Sequence, residues 1–475
     1  MLPKELYGAS VDSQYKLFAW EIETLLTELF ARRRKIGPRR TNIHSWQMIS
    51  ALFNELRNIE NYEFRAPPDG LFRRDIARLF YRQLKWQSNN WIGAEYVRWW
   101  NIFDNPRLSE AFAARVGVEL RTFLLLGLIW NTQFDTHWKM RILPIRSVPG
   151  ISDRDVGLVL EALSAPVELI QRDAQDAIQS SSTTSYRRSP LRARPLVAVR
   201  EHGRMHYIRP MEALLRWRLS SGLYYDVIGT QGVSNLIGEG FERHVRALLQ
   251  AAYPDAEVKG DLQHGTKSRP RRTPDVLLVE KGVVRLAVEC KATKVPLAVQ
   301  TTIEDSKDRV RVVDEIAKGI KQSCEFAEQM RSGIAELSLA ASPDIQSLVV
   351  VLDDIVMDAA MKPEVLAAAR TKLEAAGSGH LADKVNNVVV CSVEEFEILL
   401  TKFDDVGVQG VLREAQSTER EAWMLTSVLL GHKSGRRNMP QSPLRSRLWE
   451  LIDAKLEAVS LKPIIGSTSS AWLGN

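Results

Sequence analysis

The sequence predicts an α/β core over residues 232–403, set between an α-helical N-terminal region and a helical C-terminal extension. Three observations carry this. Residues 273–294 read TPDVLLVEKGVVRLAVECKATK, two apolar strands about a short turn. An amphipathic helical stripe precedes them, and helical and β runs alternate after them as far as a capping box at Ser392.

Taken in order, residues 1–180 read as helical, with apolar or amphipathic stretches at 17–30, 43–56 and 120–130. They hold no catalytic spacing, so a sensor or scaffold is expected there. Trp86, Trp91, Tyr96, Trp99, Trp100 and Phe103 are crowded around Arg98. Aromatic and basic residues together can stack bases, but tryptophan at helical spacing more often belongs to a core, and core is the expectation. Residues 179–194 (QSSSTTSYRRSPLRAR) are polar and read as a flexible linker. A hairpin over 195–210 turning at His202-Gly203 and a helix over 211–219 follow, so that 181–231 form a connecting module.

Ile237, Phe241, Val245, Leu248 and Leu249 then lie on one helical stripe. In the hairpin, Val276 to Val279 form one apolar run and Val283 to Val288 a second, broken by Arg285, with Lys281-Gly282 as the turn signal. Strand alternation puts Glu289 and Lys291 on one face and Val288, Cys290 and Ala292 on the other. A three-residue loop centred on Gly282 sets Asp275 opposite Glu289, with Cβ atoms ~5 Å apart; a two-residue loop sets it opposite Val288. Neighbouring carboxylates repel unless a cation sits between them, and hard oxygen ligands suit Mg²⁺ or Mn²⁺. An ammonium such as that of Lys291 can position water or neutralise charge developing on a phosphate.

After the hairpin a helix is expected over 309–330, with Val310, Val313, Ile316, Ile320, Cys324 and Phe326 or Ala327 as its apolar face and Lys318, Lys321 and Gln322 on or beside its polar side. Residues 347–352 (SLVVVL) and 387–391 (NVVVC) are β runs. Ser392 with Glu395 three residues on forms a capping box that opens a further helix through Leu400. Residues 404–475 are read as an extension with helices over 416–430 and 444–459 and a small-residue tail not expected to be ordered.

Pro274-Asp275 with Glu289-Cys290-Lys291 resembles the signature of the PD-(D/E)xK phosphodiesterase superfamily, the restriction-endonuclease-like nucleases. The competing reading is a hairpin with a solvated acidic and basic edge, because short D…ExK patterns also arise by chance. The resemblance implies a restriction-endonuclease-like α/β core, a mixed sheet flanked by helices, over residues 232–403. It implies that Asp275 and Glu289 bind Mg²⁺ (or Mn²⁺) and that Lys291 assists attack by water. Glu242, directly after Phe241, stands where the family's opening helix carries its acid; Glu239, one turn earlier, competes for that role, and both are weighed against plain surface charges. Gln322 is a secondary candidate for a residue facing the site, set against a solvated glutamine. The implied activity is hydrolysis of DNA, in restriction or anti-phage defence by fold-level analogy. RNA, including tRNA, is the alternative substrate, and a non-catalytic nucleic-acid-binding module the alternative class. A homo-oligomer or an activating partner would be compatible with either.

Composition agrees with a nucleic-acid partner. The net charge of +6 understates how the cations are grouped: 32–35 with Arg39-Arg40, Arg187-Arg188 with Arg192 and Arg194, and Lys433 with Arg436-Arg437 and Arg445. Closest to the carboxylates, Lys267, Arg269, Arg271 and Arg272 read as a basic loop that would grip phosphates. At 475 residues, two to four domains are expected. No apolar run is long enough to span a bilayer and no signal-peptide pattern opens the sequence, so no membrane partner and a cytoplasmic location are expected. Cys290, Cys324 and Cys391 lie in apolar patterns without CxxC spacing and read as buried thiols. No GxxxxGK[ST] loop is present, which argues against NTPase activity within this chain.

Overall fold

The computed structural model describes residues 17–32, 45–63, 81–83, 92–141, 150–181, 183–266, 269–296, 307–333, 339–353, 361–400, 407–420, 425–431 and 444. The helices α1 (Ala19–Ala31), α2 (Trp46–Glu63), α3 (Ile92–Phe103), α4 (Pro106–Val116) and α5 (Leu120–Thr136) lead to strand β1 (Lys139–Met140). Next come α6 (Asp153–Leu163), β2 (Ser164–Pro166), α7 (Val167–Ser180), the hairpin β3 (Leu196–Glu201) and β4 (Arg204–Ile208), α8 (Glu212–Arg218) and the single turn α9 (Tyr224–Val227). The central elements are α10 (Val233–Ala252), β5 (Glu257–Gly260), β6 (Gln263–Thr266), β7 (Arg269–Arg272), β8 (Val276–Glu280) and β9 (Val283–Lys291). They continue with α11 (Lys307–Ser332), β10 (Ala340–Val351), α12 (Met361–Ala375), β11 (Val388–Ser392), α13 (Val393–Leu400), α14 (Gly407–Ala415) and α15 (Leu425–Gly431). Among the described residues no helix is long and apolar enough to cross a membrane.

A five-stranded mixed sheet in the order β11-β10-β9-β8-β5 forms the centre. β8 pairs antiparallel with both β5 and β9, whereas β9, β10 and β11 run parallel. Helices cover both faces, which is why β8 and β9 read as near-continuous apolar runs. On one face Val276, Leu278, Leu286, Val288, Cys290, Leu348 and Val350 share a core with Ile237, Phe241, Val245, Leu248 and Leu249 of α10. On the other, Leu277, Val279 and Ala287 meet Phe326 and Met330 of α11, while Val349 and Val351 meet Ile316, Ile320 and Cys324. The stripe expected on α10 is buried throughout. On α11 the expectation fails at one position. Val310 is 63% exposed, and Val312 is buried in its place, with Arg309 held by Glu364 at 3.0 and 3.1 Å.

The N-terminal region differs from the all-helical expectation. β1 and β2 flank the β3–β4 hairpin in a four-stranded sheet of order β1-β4-β3-β2, so the hairpin is the middle of a sheet and not a mere connection. Its turn is where the sequence puts it, with positive φ at His202 and Gly203. The polar stretch 179–194 does not behave as a free linker. Its described residues are tied down: the Thr184 amide donates to Glu63, Arg187 pairs with Glu28, Arg192 reaches Glu23 at 2.5 and 2.9 Å, and Arg194 lies 3.6 Å from Asp173. Leu191 and Ser189 are buried beneath them. Three of its arginines therefore hold the segment to α1 and α7 instead of standing ready for phosphates. Residues 33–40, and Lys433, Arg436, Arg437 and Arg445, are outside the described residues, and Arg32 lies 3.6 Å from Glu28.

Helix α3 is built into the central core. Tyr96, Trp99 and Phe103 are buried, and Trp100 packs against the same core, as expected for structural aromatics; Trp86 and Trp91 lie outside the described residues. A Cβ on Gly240 of α10 would come within 2.3 Å of the Ile102 carbonyl oxygen, so only glycine permits this helix crossing. Beside it Arg98 donates twice to Glu397 of α13, at 2.8 and 3.0 Å. His244 stands 3.2 Å from the same carboxylate and 3.3 Å from Asn101. All four side chains are buried. The capping box is present as expected, with Ser392 N to Glu395 Oε2 at 2.9 Å and Glu395 N to Ser392 Oγ at 3.1 Å.

Candidate functional site

The geometry of the β8–β9 hairpin combines the two registers considered from the sequence. Its turn has two residues, Lys281 (φ 50) and Gly282 (φ 78), which pairs Glu280 with Val283 and Val279 with Val284. A turn of that length alone would bring Asp275 opposite Val288. Arg285 intervenes as the extra residue of a β-bulge, and beyond it Leu278 faces Leu286, Leu277 faces Ala287 and Val276 faces Val288. One more step of that register sets Asp275 against Glu289. The break that Arg285 makes in an apolar run is thus what aligns the two carboxylates.

Hydrogen bonds fix the pair. Asp275 Oδ2 accepts from the Cys290 amide at 2.7 Å. Glu289 Oε1 accepts from Lys291 Nζ at 2.7 Å, and the same ammonium donates to Gln322 Oε1 of α11 at 3.0 Å. Gln322, a secondary candidate from the sequence, thereby joins the site. Gly319 lies one turn earlier on α11, where a Cβ would stand 3.0 Å from Lys291 Cε and 3.1 Å from Val349 Cγ1, so its bare backbone makes the channel for the lysine stem. Alternation keeps the neighbouring Cys290 in the opposite core, where burial pushes its thiol pKa up. Burial does the same for Cys391 and takes Cys324 up to about 12; all three are free and buried, as expected.

Electrostatics mark this cluster as short of positive charge. Glu289 is 3% exposed, and burial, then the charge of Asp275, raises its carboxyl to about 7 in spite of Lys291. Asp275 is also raised, chiefly by burial, against the lowering effect of the Cys290 amide. Glu242 on α10 is half-buried and raised to about 7, first by burial and next by Asp275. Glu239, its competitor, is exposed and acts on Glu242 only as the weakest of the named influences. Two further groups were missed from the sequence. Asp261, just past β5, raises both Glu242 and Asp275, and Arg246, one turn beyond Glu242, lowers both. β5 itself was not foreseen, since EVKG carries no apolar run; the i,i+4 spacing of Glu242 and Arg246 was the available signal for the arginine.

Among the described residues no group of three or more His, Cys, Asp or Glu side chains stands arranged as a metal cage. Two carboxylates with a third in electrostatic reach still fit a hard cation that keeps most of its own waters, as Mg²⁺ does. Lysine 291 is engaged by Glu289, so a cation would share that carboxylate with it.

The basic stretch before Asp275 is a hairpin and not a loop. β6 and β7 pair antiparallel from Gln263 with Arg272 to Thr266 with Arg269. Arg271 and Arg272 are exposed, and Arg272 pairs with Asp261 at 2.9 Å. Lys267 lies outside the described residues, as does the Arg269 side chain. No protein family, curated protein or solved structure matches this chain.

Proposed function

We propose that the chain is a Mg²⁺- or Mn²⁺-dependent nuclease of the PD-(D/E)xK type that hydrolyses phosphodiester bonds of DNA, with residues 232–403 as its catalytic core. One observation carries the reading: the bulge at Arg285 aligns Asp275 with Glu289 while Lys291 extends from the same face onto Gln322. A structural salt bridge would need one acid for Lys291; here Glu289, Asp275 and the half-buried Glu242 share a deficit of positive charge.

In this reading Asp275 and Glu289 would hold the cation, whose chemistry when bound would be to acidify water and to offset charge on the phosphate. Lys291 orients that water or the phosphate oxygen and neutralises charge that develops there. Glu242, with a carboxyl pKa of about 7, can take the water's proton near neutral pH. The water oxygen forms a new P–O bond, one P–O ester bond breaks, and the departing oxygen takes up a proton. Restriction of phage or foreign DNA as the setting rests on fold-level analogy alone.

Purified protein incubated with plasmid, single-stranded DNA and RNA, each with Mg²⁺, Mn²⁺ or EDTA, tests the proposal. Cleavage of DNA with metal and none with EDTA is expected. Asp275→Ala and Glu289→Ala should abolish it, and Lys291→Ala should slow it at least ~10²-fold. Cys290→Ala should lower the melting temperature and spare the rate. Cleavage undiminished in both carboxylate variants would sink the assignment, and cleavage of RNA alone would move the substrate class.

A further inference from the structure

We propose that Arg246 is the phosphate ligand of this site, gripping a non-bridging oxygen of the bound phosphodiester; the inference rests on the nuclease reading and adds a residue to it. Arg246 stands one turn beyond Glu242 on α10. Its end is laid across β5 at Gly260, where a Cβ would fall 2.4 Å from Nη2, 2.9 Å from Cζ and 3.2 Å from Nη1. Gly260 pairs with Val276, the neighbour of Asp275, so the guanidinium rests on the α10 face of the sheet, one strand position from Asp275. Any residue other than glycine at 260 would push it away.

The guanidinium is delivered to the acids without being neutralised by them. Arg246 lowers the pKa of both Glu242 and Asp275, yet among the described residues no carboxylate comes within 4.0 Å of it, and its buried Nε has no hydrogen-bond partner. A buried donor left unsatisfied is costly, and an arginine fork matches the oxygens of a phosphate. Lys291, the other cation of the site, is already committed to Glu289 and Gln322. Of the two, Arg246 is the one whose donors no described side chain engages.

Binding of a short blunt DNA duplex, titrated over a series of salt concentrations with Ca²⁺ in place of Mg²⁺, separates this role from a structural one. Arg246→Ala should weaken binding ~10- to 100-fold, the worth of a charge-assisted hydrogen bond, and reduce the slope of log affinity against log salt by about 0.9. Arg246→Lys should keep the slope and lose part of the affinity. Gly260→Ala keeps every charge but displaces the guanidinium; it should weaken binding on its own and add nothing in the Arg246→Ala background. Unchanged affinity and slope in Arg246→Ala, with the wild-type melting temperature, would overturn the proposal, as would a Gly260→Ala effect that persists without the arginine. These binding outcomes stand apart from the nuclease assignment. Wild-type protein that binds the duplex through Arg246 but never cleaves with Mg²⁺ or Mn²⁺ refutes only that assignment, and cleavage and binding untouched by Arg246→Ala refute only the arginine's role.

Discussion

Glu289→Gln is expected to stabilise the metal-free protein above neutral pH and to leave it little changed in acid. Glu289 is buried beside Asp275, and its carboxyl rises from 4.5 to about 7. An acid raised in this way binds its proton more tightly folded than unfolded, so the folded state is favoured most below about pH 4.5 and loses stability as pH climbs through about 7. The loss is ~1.4 kcal/mol for each pH unit in that window and up to ~3 kcal/mol in all for a shift of this size. Glutamine keeps the volume and an oxygen for Lys291 but does not titrate, so the variant should lack this share of the slope. Urea denaturation in EDTA from about pH 5 to about pH 8 measures it. The two proteins should coincide at the acid end, and the variant should lead by ~2–3 kcal/mol at the alkaline end. Added Mg²⁺ should close the gap by stabilising the wild type alone. Parallel pH profiles in EDTA would refute the charge-deficit argument on which the site is built.

Other consequences concern the frame around the site. Arg98→Met removes the bidentate partner of Glu397, which is 0% exposed, and should cost ~3–5 kcal/mol as an uncompensated buried charge; an unshifted melting curve would show that Glu397 is satisfied otherwise. Gly240→Ala discriminates by sign, since helix propensity alone favours alanine by ~1 kcal/mol, whereas a methyl 2.3 Å from the Ile102 carbonyl should destabilise by ~1–3 kcal/mol. A higher melting temperature in that variant would mean that α3 does not cross α10 so closely. Neutralising Lys267, Arg269, Arg271 and Arg272 together should reduce the salt slope of duplex binding by ~2–3 units, short of the full four charges because Arg272 is paired with Asp261. An unchanged slope would exclude the β6–β7 hairpin from the binding surface.

Local sequence patterns were reliable guides to single elements. The stripe through Ile237, Phe241 and Val245, the I′-type dipeptides His202-Gly203 and Lys281-Gly282, and the Ser392/Glu395 box each act over a few residues, and each recurs in the structure. What long-range packing decides was not legible. Residues 179–194 look like a linker because nothing in them reveals that Glu23, Glu28 and Glu63 await their donors. Val310 fits an apolar period that tertiary packing on Val312 overrides. Residues 257–260 carry no strand signal because β5 is an edge strand, and pairing with β8 supplies what propensity does not. The register of the carboxylates belongs to both classes. Turn chemistry fixes one half, and the bulge at Arg285, which coincides with a break in the β9–β10 register between Ala341 and Gln346, fixes the other.

The same reasoning bears on residues 1–180, expected from the sequence to be a sensor or scaffold. Helix α3 meets the elements on two sides of the carboxylates. Through Ile102 it abuts Gly240, two residues before Glu242, and through Arg98 and Asn101 it engages Glu397 and His244 around the next turn of α10. Trp99 stands 5.0 Å from Lys294 Nζ, which is also ringed by Tyr224 and Tyr225 at 4.9 and 4.7 Å and donates to Ser221 O at 2.9 Å. Lys294 lies three residues past Lys291, so α3 anchors the chain leaving β9 as well as the helix that carries Glu242. Phe241, Val245, Tyr96 and Ile102 belong to one continuous core, and cutting before Gly232 would expose its α10 half to water. At ~25 cal/mol per Å² of apolar surface, and ~1.5–3 kcal/mol for each large side chain uncovered, the loss of several such residues is comparable with the whole stability of an ordinary domain. Residues before and after 232 thus share one core, and α3 is part of the support that holds Glu242 and Lys291 in place.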